Sequence, residues 1–349
     1  MEIIAGKQPY FSVIIDTYNY GCFIEQAVES VLDQTFPRKD TQIIVVDDGS
    51  TDDTAGRLGK YKGEVEYIYK KNGGQASALN AGFYKACGKV ICFLDADDYW
   101  YADKLESVAG EFSRSDNMDV VYNYMDIIDS RDKVIGELAD KRGDILFNKY
   151  PMAGLLKGSM PFNPETSVVS VKAACLKNIM ALPEDIRICA DGYVNMLLPF
   201  YAKEYSIIRK ALGAYRVHEH NLWKGKALTE DMVKMRLCIV NLIVSGVEQH
   251  GAKLNLDISL VKERMKAAIT ESKISLYRSQ GRKLRAFIEA MLSWHSFPED
   301  ASPGLLNRIM KKIYFLICSP LSERQQQILN QRINSGILLK VKNYVKNRH

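Results

Sequence analysis

FLDADDYW, Phe93 to Trp100, is an apolar strand that runs into three carboxylates, Asp95, Asp97 and Asp98. Ile91 to Leu94 read as a buried strand, and acids crowded at its mouth repel one another unless something positive sits among them. Asp95 and Asp97 are two residues apart, so on an extended backbone they point the same way and share one site. Hard oxygen donors around an open position suit Mg²⁺ or Mn²⁺ carrying substrate phosphates. The competing reading is an acidic loop that caps the next helix, with Asp98 or Asp103 as the cap.

A second acidic strand end breaks the tie. In QIIVVDDGSTDDT, Gln42 to Thr54, the run Ile43 to Val46 suits a parallel strand covered on both faces. Asp47, Asp48 and Gly49 then turn the chain toward a helix. Doubly wound sheets bind ligands beyond the carboxyl ends of their strands, so two acidic strand ends converge on one crevice. A third strand, FSVIID from Phe11 to Asp16, leads through TYNYG into another helical pattern. In this order and spacing, SVIIDTYN, VVDDGSTDDT, NGGQASALNAG and FLDADD resemble a family 2 glycosyltransferase with the GT-A nucleotide-sugar fold. The resemblance covers residues 10 to 125, continues more thinly to about 220 and is absent beyond.

It implies an α/β, Rossmann-like, mostly parallel sheet with flanking helices. It also implies roles for single residues. Asp97 becomes the metal ligand of an Asp-x-Asp motif, and Asp95 the contact to the donor ribose. Asp48 meets the nucleobase, as do Asp16 and Tyr18 at the first strand end, although the family usually has proline or threonine at Asp16. Lys71, or its neighbour Lys70, meets the diphosphate beside Gly73 and Gly74. Tyr215, Arg216 and His218 match a YRVH segment that closes over the donor phosphates, with Arg216 a donor contact and His218 a metal or diphosphate contact. The base in the family is an aspartate at a helix start. ALPEDIRICADGYVNMLL puts Asp191 there, with Ala190 where glutamate is usual and Gly192 where an aromatic is common. Glu184 and Asp185 compete for the role.

The chemistry needs these types. Sugar transfer must stabilise a departing diphosphate, which a divalent ion does, and deprotonate an acceptor hydroxyl, which a carboxylate does. No Ser or Cys sits in a nucleophile context, so a single inverting displacement is expected. The implied partners are a nucleotide-sugar donor, a UDP-sugar first, and a glycan or polyprenyl-linked glycan acceptor of a surface polysaccharide. The implied cofactor is Mn²⁺ or Mg²⁺. Processive synthases typically add membrane spans and a Gln-x-x-Arg-Trp motif, neither of which is in the sequence, so one sugar per encounter is expected. Two other classes compete. A nucleotidyltransferase should carry a Gly-rich basic first loop, which DTYNYG is not. A non-catalytic nucleotide-sugar-binding protein with a degenerate fold is favoured by Asp16 and Ala190 and opposed by Asp48, Asp95, Asp97 and Asp191 together.

Composition agrees. A chain of 349 residues, 47% hydrophobic, suffices for one large domain and an appendage. MEIIAGKQPY is not a signal sequence, and no stretch approaches the roughly 20 apolar residues of a membrane span. Seven cysteines without CxxC or Cys/His clustering argue against a disulfide framework or a zinc site and predict a cytosolic protein. The whole chain carries +5, but Pro303 to His349 hold nine Lys and Arg against Glu323 alone, leaving the rest at −3. Apolar residues recur there at helical spacing, from Leu305 to Val345. Such a tail can lie on an anionic membrane or pack its apolar stripe on the domain. No aromatic-rich basic module points to nucleic acid.

Alternating periods predict strands at 11–16, 42–47, 64–69, 90–94 and 119–124, with helices at 23–34, 51–61, 75–86 and 102–113. Residues 126 to 165 read as a loop-rich acceptor-side insertion. Helices follow at 171–180 and 191–202, then a strand at 205–209 and long helices at 229–249, 257–280 and 282–294. The expected division is a GT-A domain over 8–222 and a helical C-terminal region over 223–349.

Overall fold

A computed structural model of the chain describes residues 8–138, 165–219, 221, 229–282 and 285. These divide into two compact units. One is built on residues up to Lys226 together with Leu242–Val261, the other on Ala227–Asn241 and the residues from Lys262 onward.

The first unit is a mixed sheet. β1 (Phe11–Thr17) pairs in parallel with β2 (Thr41–Asp47) on one side and β4 (Val90–Asp95) on the other, and β3 (Glu66–Tyr69) extends β2. These are the β-branched runs of the sequence, and every residue from Phe11 to Ile15 and from Ile43 to Val46 is buried. Alternate side chains serve opposite faces. Val13, Ile15, Ile43, Val45, Cys92 and Leu94 pack with Ile24, Val28 and Val31 of α1 (Gly21–Leu32) and Leu105 and Val108 of α4 (Lys104–Phe112). On the other face lies α3 (Gln75–Lys85), brought close by Gly82, where a Cβ would meet Ile14 at 2.5 Å. Between β2 and β3, the helix expected over 51–61 shortens to α2 (Thr54–Leu58) and a 3₁₀ turn.

Beyond β4 the sheet changes direction. β8 (Ser170–Lys172) is antiparallel to both β4 and β6 (Met118–Ile128), and β6 is parallel to the long β9 (Glu204–Arg216). β5 (Tyr99–Trp100) and β7 (Val134–Leu138) are short antiparallel additions to β9 and β6. Three expectations need correcting. Val171 lies in β8, and only the short α5 (Ala173–Leu176) follows it. The segment ALGAYR continues β9 instead of leaving the strand at 209. Residues 126–138 form a hairpin, where an irregular insertion is expected; the remainder of that insertion, 139–164, lies outside the described residues. α6 (Ala190–Leu197) begins where the helix over 191–202 is expected and passes into a 3₁₀ turn at Leu198–Phe200. α7 (Glu230–Lys253) and α8 (Ser259–Ser279) match the long helical patterns. The helix expected over 282–294 and the basic tail from Pro303 lie almost wholly outside the described residues. No helix among the described residues is long and apolar enough to cross a membrane.

The register places the site. Asp16 is the β-partner of Asp95, and Thr17 that of Asp47, so three acidic strand ends open side by side at the carboxyl edge of β2, β1 and β4.

Candidate active site

The turn after β4 splits its acids between two tasks. Asp98 is 2% exposed and serves the fold. Its Oδ2 accepts from Ser167 Oγ at 2.6 Å and its Oδ1 from the backbone N–H of Arg216 at 3.0 Å. Ser167 Oγ in turn accepts the Asp95 N–H at 3.1 Å, tying the strand end to the 3₁₀ turn Thr166–Val168. Neither Asp98 nor Asp103 caps α4 with its side chain.

Asp97 is the outward acid. Its Oδ2 lies 3.0 Å from His218 Nε2 and 3.4 Å from Asn221 Nδ2. His218 stacks on Phe23, centroids 4.9 Å apart, and meets Tyr20 edge-on, which fixes its ring against the acid. Asn221 accepts the His218 N–H and donates to the Arg216 carbonyl, holding the β9 exit in place. Asp97 and His218 therefore come together as expected.

Asp16 and Asp95 complete the cluster. Burial, with Asp97 adding to it, pushes the Asp16 carboxyl up to about 7, while contacts with Asp95 and Gln75 pull it partly back. Asp16 Oδ1 is buried with no hydrogen-bond partner among the described residues. Burial and the charges of Asp16, Asp98, Asp97 and Asp191 hold Asp95 well above the usual carboxylate range. Asp16 thus lies with Asp95 and Asp97 in one acidic cluster at the strand ends. Tyr18, two residues on and 47% exposed, is the aromatic left facing outward at that strand end.

The linkage is direct. A carboxyl whose folded value lies above its unfolded one favours the fold below pH 4, and that contribution is lost as pH rises through about 7. Asp16→Asn removes the loss. In thermal melts without metal at pH 8 it should raise Tm by about 3 °C or more over the parent, a gap that closes toward pH 4. An unchanged Tm at pH 8 would contradict this.

Asp48 and Arg216 are both held by the protein's own groups. Asp48 accepts from the N–H groups of Gly73 and Gly74 (2.9 and 2.6 Å) and from Lys70 Nζ (2.6 Å), so its carboxylate joins the β2 loop to the glycine loop. Both loops are tightly apposed. Gly49 has φ +85° with Asn72 N 2.8 Å from where a Cβ would stand, and Gly74 has φ +89° with the Arg187 Cα at 2.5 Å. The cation in that loop is Lys70, while Lys71 is exposed and gives only its carbonyl to Lys70. Arg216 is 2% exposed. It donates to the Asp97 carbonyl, Asp132 and Gln26, and its guanidinium lies over Phe23 and Tyr99. These contacts shape the Asp97 turn.

Asp191 opens α6 from Cys189, which is in the left-handed region at φ 56°. Burial, with Glu165 adding to it, raises its carboxyl to about 6, and its own charge raises Asp95 in return. The helix start is also linked to the β4 strand end through Gln75, which bonds both the Ala190 N–H and Asp95 Oδ1. Glu184 and Asp185 are exposed on the approach. Among the described residues no group of three or more His, Cys, Asp or Glu side chains is arranged to hold a metal ion. Asp97 and His218 as a pair still fit one, because Mg²⁺ and Mn²⁺ at phosphate sites take one or two protein ligands and fill the rest with substrate oxygens and water.

Residues 12–163 match the family described as "Glycosyl transferase family 2". Over that stretch the chain is similar to glycosyltransferases of this family. A Nostoc protein named as an uncharacterized glycosyltransferase is 35% identical over 60% of this chain and 65% of its own length. The minor teichoic acid biosynthesis protein GgaB of Bacillus subtilis is 27% identical over 80% of this chain but only 32% of its own length. The chain thus spans less than two thirds of either relative. Among solved structures, S. aureus TarS 1-349 in complex with UDP-GlcNAc superposes with a TM-score of 0.57 at 21% identity, over 90% of this chain and 91% of that one. That likeness carries the GT-A fold alone. Gln75, Glu165, Ser167 and Asn221 have no role assigned from the sequence. Gln75, inside NGGQASALNAG, and Asn221, three residues beyond the histidine of YRVH, had a signal that could have found them.

Proposed function

We propose that this chain is an inverting, non-processive glycosyltransferase. It moves a sugar from a nucleotide-sugar, a UDP-sugar first, to a hydroxyl of a glycan or lipid-linked glycan in surface polysaccharide synthesis. The observation that carries this is that two unlike acids both act on Asp95. Asp97 lies beside His218 on the strand side, and Asp191, raised to about 6, lies on the helix side. A base near that value is ionised at neutral pH and still basic enough to take an acceptor proton. The family and GgaB's part in teichoic acid biosynthesis support the surface-polymer acceptor, and TarS with UDP-GlcNAc supports the donor class.

Asp97 and His218 would hold Mn²⁺ or Mg²⁺, which when bound supplies charge to the departing diphosphate. The protein's own groups do the rest. Asp95 and Asp16 face the donor's ribose side, Tyr18 offers a ring at the mouth, and Asp191 accepts the acceptor hydroxyl proton as that oxygen attacks the anomeric carbon. Inversion follows from the absence of an enzyme nucleophile in this scheme. A panel of nucleotide sugars incubated with the purified chain and Mn²⁺ should show release of nucleoside diphosphate that EDTA abolishes. No release from any donor would overturn the reading.

The place of work is also proposed: the cytoplasmic face of the membrane, reached through the tail. What supports it is the +8 carried by residues 303–349 with apolar residues interleaved. Each Lys or Arg near an anionic leaflet contributes on the order of 1 kcal/mol, screened within about 10 Å at 0.1 M salt. Anionic vesicles should therefore sediment the chain at low salt and release it at high salt, while a form ending at Ser302 stays in the supernatant. No sedimentation of either would assign the tail to packing.

A further inference from the structure

The helix that carries Asp191 starts with an unusual tether. The first N–H groups of any helix lack partners within it. Ala190, 0% exposed, donates its N–H to Gln75 Oε1 at 3.0 Å. An N–H can only donate, so the amide oxygen of Gln75 must face Ala190 and its NH₂ must face the other way. There Nε2 donates to Asp95 Oδ1 at 3.2 Å and to Thr166 Oγ1 at 3.4 Å. One side chain thus spans from the donor-side acid to the residue adjoining the base. The backbone beneath it is fixed separately. Gln75 N–H donates to Arg187 O at 2.9 Å, Ala76 N–H to Ile186 O at 3.2 Å, and Gly74 is packed on Arg187.

We propose that Gln75 is a positioning residue that couples the Asp95 strand end to the first turn of α6, so that occupancy of the donor side sets the order of the helix carrying Asp191. The proposal rests on the functional reading above only for what occupies the donor side; the tether itself stands without it. Because the backbone clamp does not use the side chain, Gln75→Met leaves the fold in place. It leaves the buried Ala190 N–H without an acceptor, so the start of α6 opens. Gln75→Glu keeps an oxygen toward Ala190 and removes the donor toward Asp95, separating the two halves of the link.

Hydrogen exchange of the full chain, alone and with UDP plus Mn²⁺, tests this. In the unliganded parent, residues 188–194 should be protected, and Gln75→Met should speed their exchange by about tenfold while residues 11–16 and 90–95 stay as they were. In the parent, UDP with Mn²⁺ should add protection at 188–194. In Gln75→Glu the unliganded protection should persist, and the protection that saturating UDP adds should vanish. Unchanged exchange of 188–194 in unliganded Gln75→Met overturns the proposal. Failure of the parent to bind UDP would count against the donor reading, and the unliganded comparison would still decide the tether.

Discussion

Asp191→Asn lowers the rate of sugar transfer by about two to four orders of magnitude and leaves UDP affinity within about threefold. The substitution keeps the size and polarity of the side chain and removes its basicity. Burial raises the Asp191 carboxyl to about 6, so the parent has an acid limb: kcat/KM rises as pH passes through about 6 and the carboxylate forms. The Asn variant has no group to titrate there, and its residual rate should be flat across that interval. Steady-state rates from pH 5 to 8, with UDP binding measured by calorimetry at the same points, check both parts. Near-parent turnover would move the base to Glu184, Asp185 or Glu165, whose charge acts on Asp191.

Asp97→Ala acts on the other side of the crevice and removes metal-dependent UDP binding as well as turnover. Removing a group that stabilises charge in such a site typically costs about a hundredfold to a thousandfold in rate. The loss here should reach that range, because His218 alone makes a poor site for a hard cation. The fold should persist, since Asp98 and Ser167, and not the Asp97 side chain, hold the turn. Calorimetry of UDP with Mn²⁺ and with EDTA separates the cases. Equal UDP affinity in parent and variant with Mn²⁺ would remove Asp97 from the metal.

The parallel half of the fold was legible because β2 and β4 hold unbroken apolar runs, and β1 one broken only by Ser12, each ending in an acid. The acids were legible for a related reason: a carboxylate at the end of a buried strand is costly to place there without a ligand. Charge inside a motif was less legible. Arg216 looks like a phosphate ligand, and Gln26, Asp97 and Asp132, far apart in sequence, also converge on it. The partners of Asp48 are likewise out of reach of a motif, being the amides of a loop 25 residues on. Gln75 and Ser167 are neutral polar residues without periodicity, and the contacts from α3 to α6 and from the 3₁₀ turn to β4 give them roles. Val171 was read as helix because AACLKNIM continues a helical pattern, whereas pairing with both β4 and β6 claims the residues before it for the sheet.

The diphosphate must sit at Asp97 for this chemistry to follow, and anomalous scattering from crystals grown with UDP and Mn²⁺ locates it directly. A manganese peak bounded by the Asp97 carboxylate, His218 and the UDP phosphates, in the crevice that Asp191 faces, is the predicted result. UDP seated elsewhere, or a manganese peak away from Asp97, would contradict it.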